Sequence, residues 1–247
     1  MCVIFPFEKC PCGSGKRYIG CCFKQNHIYQ KISLPQGAKT KYKKIVIDKT
    51  LYIEYLEKIN GFFDFHIQRN YQICMKDYPN LLYYIDKLSE LYIPYIDCHK
   101  GCDYCCHMAV AVSEFEADFI KQYINSNWTT EQKENFSSKI QDLKKTHEEI
   151  FESDYILTDS KNQNRVPCIF LEKKCCSIYS ARPAICRTYL SFSPSEICKE
   201  VQFGSNGMRN VEGDTANDFR DKLYDFYFSH SKYTYGHYHL AFWFRNF

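Results

Sequence analysis

Residues 98–106 read CHKGCDYCC and residues 168–189 read CIFLEKKCCSIYSARPAICRTY, and these two stretches decide what kind of fold the chain adopts. Cys98, Cys102, Cys105 and Cys106 fall within nine residues; Cys168, Cys176, Cys186 and Cys198 form a second, wider group. Adjacent Cys105 and Cys106 cannot easily join Cys98 and Cys102 on one ion unless the backbone kinks at Gly101. Neither group therefore reads as self-sufficient, and ligation shared across the fold is the simpler expectation. The expected fold is a mostly α, small irregular domain organised around a multi-cysteine metal cluster.

The opening MCVIFPFEKCPC has no charged leader region and only a short apolar stretch, so it does not read as a secretory signal. No apolar run reaches membrane-spanning length. The expected location is cytoplasmic, and there fifteen cysteines stay reduced unless a metal holds them. With 45% apolar and 17% aromatic side chains against ten glycines and eight prolines, the chain can bury a core and is not low-complexity. Its charge is uneven. Nine Lys and Arg against one Glu give +8 through Ile47, while 23 basic against 28 acidic residues leave −5 on the remainder. A basic head of this kind favours a polyanionic partner, either a protein or a ribonucleoprotein.

The chain divides into a cysteine-glycine knuckle at 1–24, a basic linker at 25–47 and a mostly helical body at 48–247, with the cysteine-cluster region at 98–198. Apolar residues recur at three- and four-residue spacing between Asp48 and Asp97, which predicts amphipathic helices broken near Gly61 and Pro79. Ser113 and Glu116 have capping-box spacing, Thr130 opens a polar helix, and Arg182-Pro183 begins another. A further helix is expected around Ala216–Phe228, whereas the class of the final HYHLAFWF is left open. Residues 154–180 carry loop and short extended signals.

In CPCGSGKRYIGCC, residues 10–22, Cys10 and Cys12 precede Cys21 and Cys22 by a glycine-rich loop too short to have a hydrophobic core. Four thiolates suit tetrahedral zinc. Gly13, Ser14 and Gly15 permit a tight turn, and Lys16 and Arg17 offset the −2 charge of a zinc–tetrathiolate centre. A phosphate loop is excluded, because that pattern needs glycine at Cys10 and a hydroxyl at Arg17. The segment resembles the SEC-C motif, the zinc-binding tail module of the bacterial protein-translocation ATPase, with Cys22 where that translocase usually has histidine. The resemblance implies zinc at Cys10, Cys12, Cys21 and Cys22 and a docking role.

The central stretches resemble the YkgJ-like cysteine-cluster family of zinc- or iron-chelating proteins. Carried over by position, its cysteines are Cys98, Cys102, Cys105, Cys106, Cys168, Cys176, Cys186 and Cys198, with Cys175 an extra. Thiolates suit zinc or an iron–sulfur cluster equally, and spacing does not choose between them. Arg182, Arg187 and the helix start near Pro183 are placed to offset cluster charge. His99 and His107 flank the first group and could replace a cysteine as ligand, but a histidine beside a cluster is more often a hydrogen-bonding neighbour. His237 and His239 read as structural, and Cys2 and Cys74 as small apolar residues.

Catalytic residues and small-molecule cofactor-binding residues are not identifiable from the sequence. Cys98, Cys102 and Cys105 also resemble the cluster loop of radical S-adenosylmethionine enzymes, but that leaves Cys106 and the second group unexplained. Flagellin lysine N-methylases share this type of cysteine pattern, which keeps an iron–sulfur or S-adenosylmethionine-dependent transferase as the alternative. No glycine-rich strand-to-helix turn of the usual methyltransferase kind is present. The leading expectation is an adaptor whose metals stabilise its fold.

Overall fold

A computed structural model of the chain describes residues 2–32, 45–152, 166–192, 194–198, 217–231 and 237–247. The fold is mostly α. At the front, β1 (Cys2–Val3), β2 (Tyr29–Ile32) and β3 (Ile45–Asp48) form a three-stranded antiparallel sheet, in which Tyr29 pairs with Asp48 and Ile32 with Ile45. The segment expected to be a basic linker thus contains two strands. Their pairing has a packing cause: Ile45 and Ile47 are buried with Tyr92 and Phe192, so the sheet is sewn to the body. Lys39, Lys41, Lys43 and Lys44 lie outside the described residues.

Asp48 ends β3 and caps α1 (Lys49–His66), its Oδ1 accepting the Thr50 and Leu51 N–H groups at 3.0 and 3.2 Å. Its Oδ2 lies 2.6 Å from His27 Nδ1, while the Tyr18 hydroxyl donates to the His27 carbonyl at 2.7 Å. One carboxylate therefore joins the knuckle to the first helix. α2 (Tyr71–Glu90) restarts after Asn70, whose side chain accepts the Gln72 N–H.

The break between these helices falls at 67–70, which corrects the expectation of breaks at Gly61 and Pro79. Glycine inside a helix costs about 1 kcal/mol relative to alanine, and Pro79 removes one main-chain donor. Burial of Ile59 and Phe63 on α1 and of Tyr78, Leu81, Leu82 and Ile85 on α2 outweighs both.

β4 (Ala111–Ser113) leads into α3 (Glu114–Asn127), and α4 (Thr130–Thr146) follows; both helices begin with complete capping boxes, Ser113 with Glu116 and Thr129 with Gln132. A short hairpin, β5 (Leu171–Glu172) and β6 (Cys175–Cys176), precedes the one-turn α5 (Ala184–Thr188). α6 (Asn217–Ser229) brings Phe219, Phe226 and Tyr227 against α1, α2 and Phe115. The aromatic tail resolves into β7 (His237–His239), paired antiparallel with β4, and a 3-10 turn over Leu240–Phe244.

That turn closes a second core with Ile120, Ile124, Phe136 and Phe170. Phe136 and Phe170 stack at 5.0 Å, and Trp243 Nε1 donates to the Val112 carbonyl at 3.0 Å. No helix among the described residues is long and apolar enough to cross a membrane.

Candidate metal centres

The knuckle is built by glycine geometry. Gly13 and Gly15 have φ of 80° and 74°, the left-handed region where a side chain is strained, and they fold the loop back so that the Cys10 N–H donates to the Lys16 carbonyl at 2.8 Å. The sulfurs of Cys10, Cys12, Cys21 and Cys22 then all lie within 4.8 Å of one another. Cys12 and Cys21 are 3.6 Å apart, and Cys21 and Cys22 are 4.0 Å apart. A zinc tetrahedron with bonds of about 2.3 Å has sulfur–sulfur edges of about 3.8 Å, close to the two shorter separations, so the donor set fits that ion.

The four thiols are not equivalent. The Ser14 hydroxyl holds the exposed Cys12 down at about 6, whereas burial pushes Cys22 up to about 12. Cys10 and Cys22 face the module's small core with Tyr18 and Ile4.

The central cysteines come from four parts of the chain, and among the described residues no three of their sulfurs lie within 4.8 Å of one another. Gly101, with φ of 92°, supplies the kink between Cys98 and Cys102, and Tyr104–His107 form a 3-10 turn bearing Cys105 and Cys106. The two sequence groups meet through the main chain, where the Cys168 N–H donates to the Cys106 carbonyl at 2.7 Å. Cys176 sits on β6, Cys186 on α5, and Cys198 on a helical turn described over 195–198. The Ser191 N–H points at Cys98 Sγ at 3.4 Å.

Burial pushes Cys98 up to about 11 and Cys168 up to about 12, and raises Cys102, Cys176, Cys186 and Cys198 as well. Cys105 is their common neighbour, since its charge would raise each of those six, and it is itself raised chiefly by Cys106. Charge on Cys102 and Cys198 would also raise Cys98, and charge on Cys168 and Cys176 would raise Cys186. These thiols are gathered more loosely than those of the knuckle. An all-sulfur donor set of this size is chemically suited to zinc or to iron–sulfur. Cys175 is exposed and Cys74 is fully buried in the helical core.

Residues 97–209, a little under half of the chain, match the CxxCxxCC family model, described as a "putative zinc- or iron-chelating domain". This segment is similar to the domains that the model describes. All eight central cysteines lie inside it. No curated protein and no solved structure matches the chain significantly.

Around the CxxCxxCC thiols, Arg182 and Arg187 both reach Asp86 of α2, Arg182 at 3.3 Å and Arg187 in a closer contact. Their positive charge acts on Cys176, and that of Arg182 on Cys105, which is the balancing role anticipated for them. The start of α5 is different. Its Ala184 N–H donates at 2.9 Å to Glu116, a buried carboxylate on α3, rather than facing a thiol. Sequence spacing identifies Glu116 as a helix cap but gives no sign of this second contact, nor of Asp86.

Glu116 also accepts from the Tyr78 hydroxyl at 3.2 Å, and Tyr78 meets the Tyr227 hydroxyl at 2.7 Å. Burial raises the Glu116 carboxyl above its ordinary value despite these donors. His99 Nδ1 lies 2.7 Å from the Asp97 carbonyl, and His107 pairs with Asp103 at 3.7 Å, so both histidines have local partners.

Proposed function

We propose that the chain is a two-centre thiolate metalloprotein acting as a docking adaptor, with one structural zinc in the knuckle and zinc or an iron–sulfur cluster in the CxxCxxCC domain. The observation that carries the reading is the knuckle itself, where four sulfurs are already within 4.8 Å of one another. Its ligands are Cys10, Cys12, Cys21 and Cys22. Those of the central site are Cys98, Cys102, Cys105, Cys106, Cys168, Cys176, Cys186 and Cys198. Resemblance to SEC-C and the +8 charge through Ile47 support docking of a protein or ribonucleoprotein to the front of the molecule. Fourteen free thiols among the described residues suit a reducing cytoplasm.

The test is metal and acid-labile sulfide analysis with an absorption spectrum, on full-length protein purified without oxygen, beside the C12S/C21S variant. Substitution is preferable to truncation, because Ile45 and Ile47 belong to the body's core. One zinc should be lost in the variant while the central metal stays. Colourless protein with only zinc makes both centres structural. Brown protein with iron and sulfide identifies an iron–sulfur centre, and S-adenosylmethionine binding by that form would turn the reading towards an enzyme of the lysine N-methylase kind. A wild-type chain without metal would overturn the reading.

A further inference from the structure

The surface of the knuckle carries both exposed aromatic rings and exposed cations. Phe5 and Phe7 are 68% and 71% exposed, and Phe23 is 50% exposed, on a module whose own core is made of Ile4, Tyr18 and the ligands Cys10 and Cys22. The metal loop sets the position of these rings. Phe23 directly follows Cys22, while the Ile19 and Tyr18 N–H groups donate to the Pro6 and Glu8 carbonyls at 2.8 and 2.9 Å, clamping the Phe5–Phe7 strip to the loop.

Lys9 and Arg17 face each other across an isolated antiparallel bridge. Like charges directly opposite one another are unfavourable, and an anion between them would relieve the repulsion. Lys9, Lys16, Arg17 and Lys24 are exposed and have no carboxylate partner among the described residues, whereas Glu8 is taken by Lys31 at 3.2 Å. With Glu8 paired, these four cations exceed the −2 of a zinc–tetrathiolate centre, and the zinc-loaded surface stays positive.

Exposed rings interleaved with unpartnered cations match one ligand chemistry, in which bases stack on aromatic faces while phosphates lie along the charges. We propose that Phe5, Phe7 and Phe23, with Lys9, Lys16, Arg17 and Lys24, form a docking surface for single-stranded RNA. This rests on the zinc-knuckle and ribonucleoprotein reading above and names the element of the partner that the knuckle touches. An acidic protein would use the charges but has no need of three flat apolar rings left in water.

The experiment is fluorescence anisotropy of a labelled twelve-nucleotide oligouridine with the zinc-loaded full chain, with zinc content measured on every sample. Oligouridine should bind more tightly than an RNA duplex or heparin. F7A should weaken binding about tenfold, within the range for one lost base stack, with an unchanged salt slope. K9A/R17A should flatten the logarithmic salt slope by roughly 1.4, about 0.7 for each phosphate contact. Equal binding of heparin with no effect of F7A would overturn the proposal in favour of plain electrostatics. A preference for oligothymidine would overturn the choice of RNA, and Phe-dependent binding of a polyglutamate-type peptide instead of RNA would assign the face to a protein. Zinc present without RNA binding defeats this inference alone, whereas absence of zinc defeats the metal reading beneath it.

Discussion

Replacing Glu116 should show how the helices hold the segment that carries Cys186 in shape. Its carboxylate accepts from the Ala184 N–H, the Tyr78 hydroxyl and, at 3.4 Å, the Ser113 N–H, joining α2, α3 and α5 inside the protein. Glu116→Ala strips acceptors from buried donors, each costing about 1–3 kcal/mol when left unpaired, and opens a cavity. Tyr78 and Tyr227 keep each other but leave one hydroxyl proton unpaired, and with the losses at Ala184 and Ser113 the cost comes to about 3–5 kcal/mol. For a chain of this size that is a fall in Tm of roughly 6–20 °C. Glu116→Gln keeps an acceptor oxygen and should cost about 1 kcal/mol.

The pH dependence has a definite sign. Burial raises the Glu116 carboxyl in the folded state above its ordinary 4.5, so its contribution is complete below that value and is lost as pH climbs through the folded one. Glutamine does not titrate. The Tm advantage of wild type over E116Q should therefore be greatest at the acid end and shrink with rising pH, measured by circular dichroism from pH 5 to 8 with metal content determined at each point. A gap that does not change with pH, or an E116A variant within 1 kcal/mol of wild type, would refute the reasoning.

Three further outcomes are expected. Burial holds His239 at about 4 against an ordinary 6.5, so wild type should lose about 3 kcal/mol as pH falls from 6.5 to 4, and H239N, which keeps an acceptor for the Ala241 N–H, should lack that loss in urea titrations. Asp86→Ala leaves the nearly buried Arg187 without its carboxylate; because Asp86 is about a third exposed, the cost should sit near 3 kcal/mol, the lower end for a broken buried pair, and D86N should recover part of it on thermal melts. Gly101→Val places a β-branched residue at φ of 92°, with nothing within 4 Å of the added Cβ, so it should loosen central metal retention against a chelator by backbone strain alone while the knuckle zinc stays.

What the sequence made legible was local. The capping box of Ser113 and Glu116 is a four-residue pattern and is present as read; helical periodicity marked the stretch that holds α1 and α2 but not their break, and the helix expected around Ala216–Phe228 is α6. The cysteine spacing of the knuckle determined its geometry, because thirteen residues with two left-handed glycines have few ways to fold. The illegible parts depend on distant partners or on turns without a signature. Lys173 and Lys174 both adopt positive φ, 47° and 64°, in the two-residue turn joining β5 and β6, a place where asparagine and glycine are usual. The front sheet pairs a two-residue strand with residues 30 and 31, which no periodicity marks. Glu116 reaches Ala184 across 68 positions, and only the fold reveals that contact.

The division of labour between helices and cysteine loops follows from where their hydrogen bonds go. Each long helix satisfies its own main chain and buries an apolar face, so α1, α2, α3 and α6 hold together through Phe63, Tyr78, Phe115 and Phe226 without reference to the eight central cysteines. The segments carrying Cys98–Cys106 and Cys168–Cys176 contain one 3-10 turn and one two-residue hairpin, and they lean on side chains for what a helix would supply. Arg187 is the clearest case. Its guanidinium donates from Nε to the Arg182 carbonyl at 3.0 Å, from Nη2 to the Ser180 carbonyl at 2.6 Å, and from Nη1 to Asp86. One planar fork thereby fastens the loop before Cys186 to α2 and carries positive charge towards Cys176. A lysine offers a point charge on a flexible stem and cannot span those three acceptors, so positive charge alone at position 187 would leave the loop unfastened.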